Sequence, residues 1–309
     1  MDPIKFGEDL AKKSEFAYQL ANHRYNWPDL SNQVLDFMGM GSSAYAAQAI
    51  ATRLQAAGIN ANFTLASNPT PPKANKNKTL IMISASGNSI ESKSAFEKAL
   101  GYREKIWLSN TNLSNSYHID LAAQLESSGV ASLTYLATHI ALLKLAQSLN
   151  TITEIDNQIV LAAEAIADIY ARSNEWLPIL EKHISSPAGA FFIAPMDRFC
   201  SAQQSALMIR ECPRISAVAC ETGDWSHVDV YLTKTLDYRA VIFPGSIWED
   251  QLLEWCLKRE SKVLAIGFEN PKIATAIRYK NDNNPIVRLL AETSFAELLA
   301  QSLWVRQRK

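Results

Sequence analysis

Short apolar runs recur along this chain, and each leads into a stretch with helical spacing. VLDFMG (34–39) precedes AYAAQAIATRLQAAG (44–58), and TLIMIS (79–84) precedes SIESKSAFEKALG (89–101). GAFFIA (189–194) precedes RFCSAQQSALMIREC (198–212), and YRAVIFPG (238–245) precedes SIWEDQLLEWCLKRES (246–261). Strands alternating with helices of this length build parallel sheets, because a parallel connection must cross back over the sheet. The strand segments are nearly all apolar rather than polar–apolar alternations, as expected of strands covered on both faces. NFTLAS, REKIWLSN, HIDLAA, ISAVAC and KVLAIG supply further strands, and FAELLAQSLWVRQ a final helix.

The pattern runs once, pauses and restarts. A helix over 5–25 opens the chain, and a long apolar helix, GVASLTYLATHIALLKLAQSL (129–149), closes the first run. Residues 151–185 read as two bridging helices, SSPAG (185–189) punctuates the chain, and strands resume after it. For 309 residues this gives an N-terminal helix (1–25), a first α/β domain (26–150), linking helices (151–185) and a second α/β domain (186–309).

Composition excludes several classes. A net charge of −1 without a basic stripe argues against a nucleic-acid surface. No apolar run approaches the ~20 residues needed to span a bilayer, and MDPIKFGEDLAKKSEF lacks the apolar core of a signal peptide. Cys200, Cys212, Cys220 and Cys256 form no CxxC pair and read as buried, reduced thiols of a cytoplasmic protein. No His/Cys/Asp cluster has ligand spacing, so neither a metal nor an organic cofactor is expected.

Chemistry concentrates where apolar runs stop. SASGNS (84–89) puts Ser84, Ser86 and Ser89 around Gly87 at a strand-to-helix turn. In an open parallel sheet ligands sit at the carboxyl ends of strands. There the next helix offers free N–H groups and a partial positive charge to an anion such as phosphate. The same residues would equally serve as ordinary helix caps and a turn glycine. The stretch is no Walker loop, and GMGSSA (39–44) is no dinucleotide fingerprint.

The two turns together, GMGSS then SASGNS about forty residues later, resemble the sugar isomerase (SIS) domain family. The resemblance implies two tandem SIS domains, each a mainly parallel, flavodoxin-like α/β/α sandwich. It assigns phosphate binding to Ser84, Ser86, Gly87 and Ser89, and sugar contact to Gly41 and Ser43. GVAS (129–132) looks like the family's third sugar-side loop and adds Val130 and Ser132.

SALMIRECPRISAVACETGDWSHVDVYL (205–232) is similar, without gaps, to the isomerase domains of glutamine–fructose-6-phosphate aminotransferases. That similarity implies Glu211 as the carboxylate moving a proton between C1 and C2 of a sugar phosphate. It implies His227 as the ring-opening group lent by a partner subunit, hence a homodimer with shared sites. Both roles suit the residue types. His23, His118, His139 and His183 lack such context and read as structural or exposed.

The sequence departs from that pattern. Met208 stands where the family has a lysine, and APMDR (194–198) replaces the glycine-rich turn of the second half, so no phosphate is expected there. No glutaminase half is present, and the last residue, Lys309, does not stand in for the family's C-terminal lysine tail. Isomerisation, deamination or deglycation of a sugar or aminosugar phosphate is therefore expected rather than glutamine-dependent amination. The alternative is a sugar-phosphate sensor without turnover.

Overall fold

The computed structural model describes residues 1–113, 116–123 and 126–308. Lys309 lies outside them. Two short helices open the chain, α1 (Pro3–Ala11) and α2 (Lys13–Ala21), where the spacing predicts one helix over 5–25. Then follow β1 (Val34–Gly39), α3 (Ser42–Ala56), β2 (Ala61–Leu65), β3 (Lys78–Ile83) and α4 (Ile90–Lys98). β4 (Glu104–Ser109), β5 (Tyr117–Asp120) and α5 (Leu133–Ser148) complete the first run. After α6 (Ile155–Ala171) and α7 (Ser173–Ile184) come β6 (Ala190–Ala194), α8 (Phe199–Glu211), β7 (Ala217–Glu221) and β8 (Arg239–Ile242). α9 (Glu249–Lys258), β9 (Lys262–Ile266), β10 (Thr275–Ile277), α10 (Pro285–Ala291) and α11 (Thr293–Gln307) end the chain.

The strands form two five-stranded sheets, β2-β1-β3-β4-β5 and β10-β9-β8-β6-β7, and every pairing is parallel. Numbered within its own sheet, each runs 2-1-3-4-5. The flavodoxin-like order expected from sequence is therefore used twice. In that order the connections leave in opposite directions from the first and third strands, and the crevice between those two strand ends receives ligands. It lies beyond β1 and β3 in the first sheet and beyond β6 and β8 in the second.

Two compact units divide the chain. The N-terminal unit is Phe16–Ile159; the C-terminal unit is Val160–Lys309 together with Met1–Glu15. The opening segment thus belongs with the last helices rather than standing alone, because α1 packs on α11. Lys13, one residue past α1's cap, is buried there with its Nζ 2.5 Å from Glu297 and 3.2 Å from the Ser294 hydroxyl. The paired, buried Lys13, first residue of α2, ties the start of that helix to α11.

In the N-terminal unit β1 and β3 are buried along five of six residues, and Met38, Leu80, Met82, Phe96, Tyr102 and Trp107 pack on one sheet face. β6 is buried throughout, and Phe191, Ile193, Trp225, Tyr238 and Ile242 form part of the C-terminal unit's core. β10 and α10 have no counterpart in the sequence reading. β10 is a three-residue edge strand, too short to show a period. α10 carried a usable signal: Asn284 caps it by accepting from the Ile286 and Val287 amides, and Pro285 takes its first position.

Candidate functional site

The first turn at the N-terminal unit's crevice is built by two glycines. Gly39 ends β1 where an added Cβ would lie 2.9 Å from the Ser43 carbonyl carbon, so α3 can start close against the strand. Gly41 then takes φ +53°, and a Cβ there would meet nothing within 4 Å. It is the N-terminal cap of α3 and supplies no side chain to cap it. The α3 N-terminus therefore opens beside an empty, exposed glycine, with Ser43 half-buried in its first turn.

The second turn follows β3. Ser84 is buried and extends the ladder, its amide donating to the Leu108 carbonyl, and its own carbonyl accepts from the Gly87 amide at 2.8 Å. Gly87 sits at φ +69°, and a Cβ there would lie 2.9 Å from Thr111 Cβ and 3.1 Å from Ser109 Oγ. Only glycine fits on both counts. Ser86 and Asn88 are exposed at the tip, with the Asn88 amide 3.3 Å from Ser86 Oγ.

The loop after β4, absent from the sequence reading, braces this turn. The Thr111 hydroxyl donates to the Ser86 carbonyl at 3.1 Å, and the Asn110 amide to the Ala85 carbonyl at 3.0 Å. Ser109 Oγ accepts from the Thr111 amide, and the His118 ring reaches the Ser109 carbonyl at 2.9 Å.

Ser89 caps α4. Its hydroxyl accepts from the Ser92 amide at 3.1 Å and donates to Glu91 Oε2 at 3.0 Å. Hydrogen bonds from its own backbone and then from Ser89 hold the Glu91 carboxyl below its ordinary pKa. A charged carboxylate thus engages one of the cradle's hydroxyls.

Val130 and Ser132 are fully buried. The α5 N-terminus is already filled: Glu126 Oε1 accepts from the Ser132 amide, the Thr134 amide and the Thr134 hydroxyl at 3.0, 2.7 and 2.7 Å.

In the C-terminal unit Glu211 is the last residue of α8 and half-buried. Among the described residues its carboxylate has no hydrogen bond or ion pair, and burial alone pushes its pKa up. A desolvated, unpaired carboxylate is poised to exchange a proton nearer neutrality than an exposed one. Met208, one turn earlier, is fully buried.

His227 is exposed just after a 3₁₀ turn, Asp224–Ser226, that follows β7. Glu221 shapes this loop by accepting from the Gly223 and Asp224 amides at 2.7 and 2.9 Å. Buried Trp225 anchors it through Nε1 to the Tyr238 hydroxyl at 2.8 Å.

Glu211 and His227 do not meet within their unit. α8 runs back against the strands, so Glu211 lies at the edge where β7 begins, whereas His227 lies beyond the edge where β7 ends. Five residues of strand separate those edges, roughly 16 Å.

Among the described residues no group of three or more His, Cys, Asp or Glu could hold a metal ion. None of the described helices is long and apolar enough to cross a membrane. The four cysteines are buried free thiols.

No protein-family model matches the chain, and no curated protein sequence matches it. Solved structures do. The C-terminal domain of glucosamine-fructose-6-phosphate aminotransferase from Francisella tularensis superposes with a TM-score of 0.76 at 14% identity, covering 97% of this chain and 96% of that one. Tagatose-6-phosphate ketose/aldose isomerase from Escherichia coli gives 0.75 at 15% identity, covering 98% and 93%. Glucosamine-6-phosphate deaminase from Thermotoga maritima gives 0.69 at 16% identity, covering 98% and 95%. At these identities the likeness establishes the fold, a pair of parallel five-stranded α/β units along the whole chain.

Proposed function

We propose that the chain is a double-SIS enzyme acting on a sugar phosphate or aminosugar phosphate at C1–C2. The observation that carries this reading is the open cradle at the crevice of the N-terminal sheet. Its positive-φ Gly87, exposed Ser86 and braced backbone face the ligand end of the sheet, beside the vacant Gly41 turn. In this reading Ser84, Ser86, Ser89 and the amides around Gly87 hold the phosphate, and Gly41 and Ser43 border the sugar. Val130 and Ser132, buried, hold the α5 end that Glu126 caps rather than contributing side chains.

Glu211 is the proton carrier. In an isomerisation it takes the proton from one carbon and returns it to the neighbour, so nothing is consumed; on an aminosugar phosphate the same shuttle would be followed by uptake of water and release of the amine. His227 exchanges the ring-opening proton in the site of a second subunit. The separation of the two residues across β7 supports that division, as does the exposure of Val228, Tyr231 and Trp248 in and around the His227 loop. The enzyme is thus a homodimer with composite sites. The fully buried free thiols suit a reducing compartment such as the cytoplasm. The names of the structural neighbours, two acting on hexose phosphates or their amino derivatives, agree with the substrate class.

A second reading, a sugar-phosphate sensor without turnover, draws on Met208, an apolar side chain buried where the resembled family carries lysine. The two readings part on product formation. The chain is incubated with fructose, glucose, tagatose and glucosamine 6-phosphates and with a fructosamine phosphate. New sugar-phosphate signals by NMR support the enzyme; saturable binding without product across the panel supports the sensor.

A further inference from the structure

The C-terminal unit repeats the strand order of the N-terminal one, so it owns an equivalent crevice beyond β6 and β8. That crevice is lined like an anion site. Arg198, in the turn after β6, is buried and donates through Nη2 to the carbonyl of Pro244, in the loop after β8. Gly245 follows at φ +126°, and a Cβ there would lie 3.1 Å from Arg198 Nη2 and 3.7 Å from Arg288 Nη1. Two guanidinium groups therefore converge beneath one glycine at the ligand end of the sheet. The buried Tyr279 hydroxyl, without a hydrogen-bond partner, acts electrostatically on the same group of charges. Ser201, in the first turn of α8, is buried, and its hydroxyl has no hydrogen-bond partner among the described residues.

The centre is occupied by the chain itself. Glu292, between α10 and α11, is fully buried and its Oε1 lies 2.5 Å from Arg198 Nη1. Burial raises the Glu292 carboxyl's pKa, and Arg198 and then Arg288, which is held by the carbonyls of Asp282 and Gly267, oppose that rise with positive charge. A carboxylate paired with one arginine and beside a second has the charged surroundings a bound oxyanion would have, while the Gly245 amide donates to Glu249 Oε2 at 2.9 Å.

We propose that Glu292 is a built-in substitute for a ligand anion. The C-terminal crevice is an oxyanion site closed by the protein's own carboxylate, so the chain takes one phosphate, not two. The site would accept a small carboxylate or phosphate only once the Glu292 side chain is removed. The count of one phosphate rests on the proposed N-terminal cradle, whereas the plug itself uses residues of the C-terminal unit alone.

The test is rescue by an external anion. In Glu292→Gly, formate replaces the deleted carboxylate and raises Tm saturably by about 2–4 °C over chloride at equal ionic strength. Wild type and Glu292→Gln, whose volume is kept, show no such rise. No formate effect in Glu292→Gly, or an equal effect in wild type, overturns the proposal.

Should Glu292→Gly fail to fold, Arg198→Met/Glu292→Met replaces the pair by apolar groups, a change buried ion pairs often tolerate. Equilibrium dialysis with inorganic phosphate then counts sites. Equal numbers in wild type and double variant support a plugged crevice. One site fewer in the double variant means the wild-type crevice is open to phosphate, which overturns the proposal. Both readouts are independent of turnover, so their failure and that of the enzymatic reading are separable.

Discussion

The Thr111 hydroxyl donates to the Ser86 carbonyl at 3.1 Å, tying the loop after β4 to the tip of the serine-rich turn after β3. A backbone held from behind presents its amides and hydroxyls forward, which is how a loop binds an anion without a lysine or arginine. Thr111→Val keeps the shape and removes the bond. Sugar-phosphate affinity should fall by about one net hydrogen bond, ~1 kcal/mol or roughly five-fold, with Tm little changed. Titration calorimetry with the substrate found in the panel measures it.

Ser86 reaches the ligand in this account, whereas Thr111 only braces. Ser86→Ala should therefore cost more, about 1.5–3 kcal/mol, as for a donor to a charged group. Unchanged binding in Ser86→Ala would move the phosphate away from this turn. Gly87→Ala should lose binding and stability together, because φ +69° and the 2.9 Å approach to Thr111 Cβ both oppose a side chain.

Glu91 works against the cradle. Its carboxylate accepts from Ser89, one of the hydroxyls proposed to hold the phosphate. Glu91→Gln removes the charge while its amide oxygen can still accept from Ser89, so affinity should rise roughly two- to five-fold at low salt and the gain should shrink as salt screens the charge. Weaker binding would mean that Glu91 positions Ser89 rather than competing for it.

Burial raises the Glu211 carboxyl, and the sign of its effect on stability follows. The folded protein holds this proton to higher pH than the unfolded chain does. The penalty is absent below the ordinary carboxylate pKa. It grows as pH rises from there through the raised folded value, and is complete above it. Glu211→Gln, neutral throughout, should match wild type in acid and equal or exceed its Tm at neutral pH. The same shift predicts that wild-type turnover falls off on the acid side at a pH above that of an exposed carboxylate.

Glu211 and His227 lie at opposite edges of β7, so a shared site predicts complementation. Glu211→Gln and His227→Ala homodimers should each be inactive, and mixing with subunit exchange should restore part of the activity in dimers that pair one intact residue of each kind. No recovery despite proven exchange would place both residues in a single-subunit site or remove one from the chemistry.

Much of the fold was legible in the sequence because it is local. Unbroken apolar strands such as LIMI and FFIA fixed two parallel sheets, and Gly41 and Gly87 marked the turns at their ends. What escaped depends on contacts far apart in the chain. Thr111 braces Ser86 across 25 residues, and Arg198 meets Glu292 across 94. GVAS looked available, but Glu126 caps the helix that follows it and Val130 and Ser132 are buried. The fate of a small-residue loop depends on which distant carboxylate reaches it. Asn284-Pro285, by contrast, was a local helix start that could have been read.

The central claim is that Glu211 moves a proton at C1–C2 of a sugar phosphate. Proton NMR in D₂O, with the substrate identified from the panel, reads that step directly. The account predicts loss of the C1 or C2 proton signal with wild type and none with Glu211→Gln, which still binds the sugar phosphate. Exchange that persists in Glu211→Gln would contradict it.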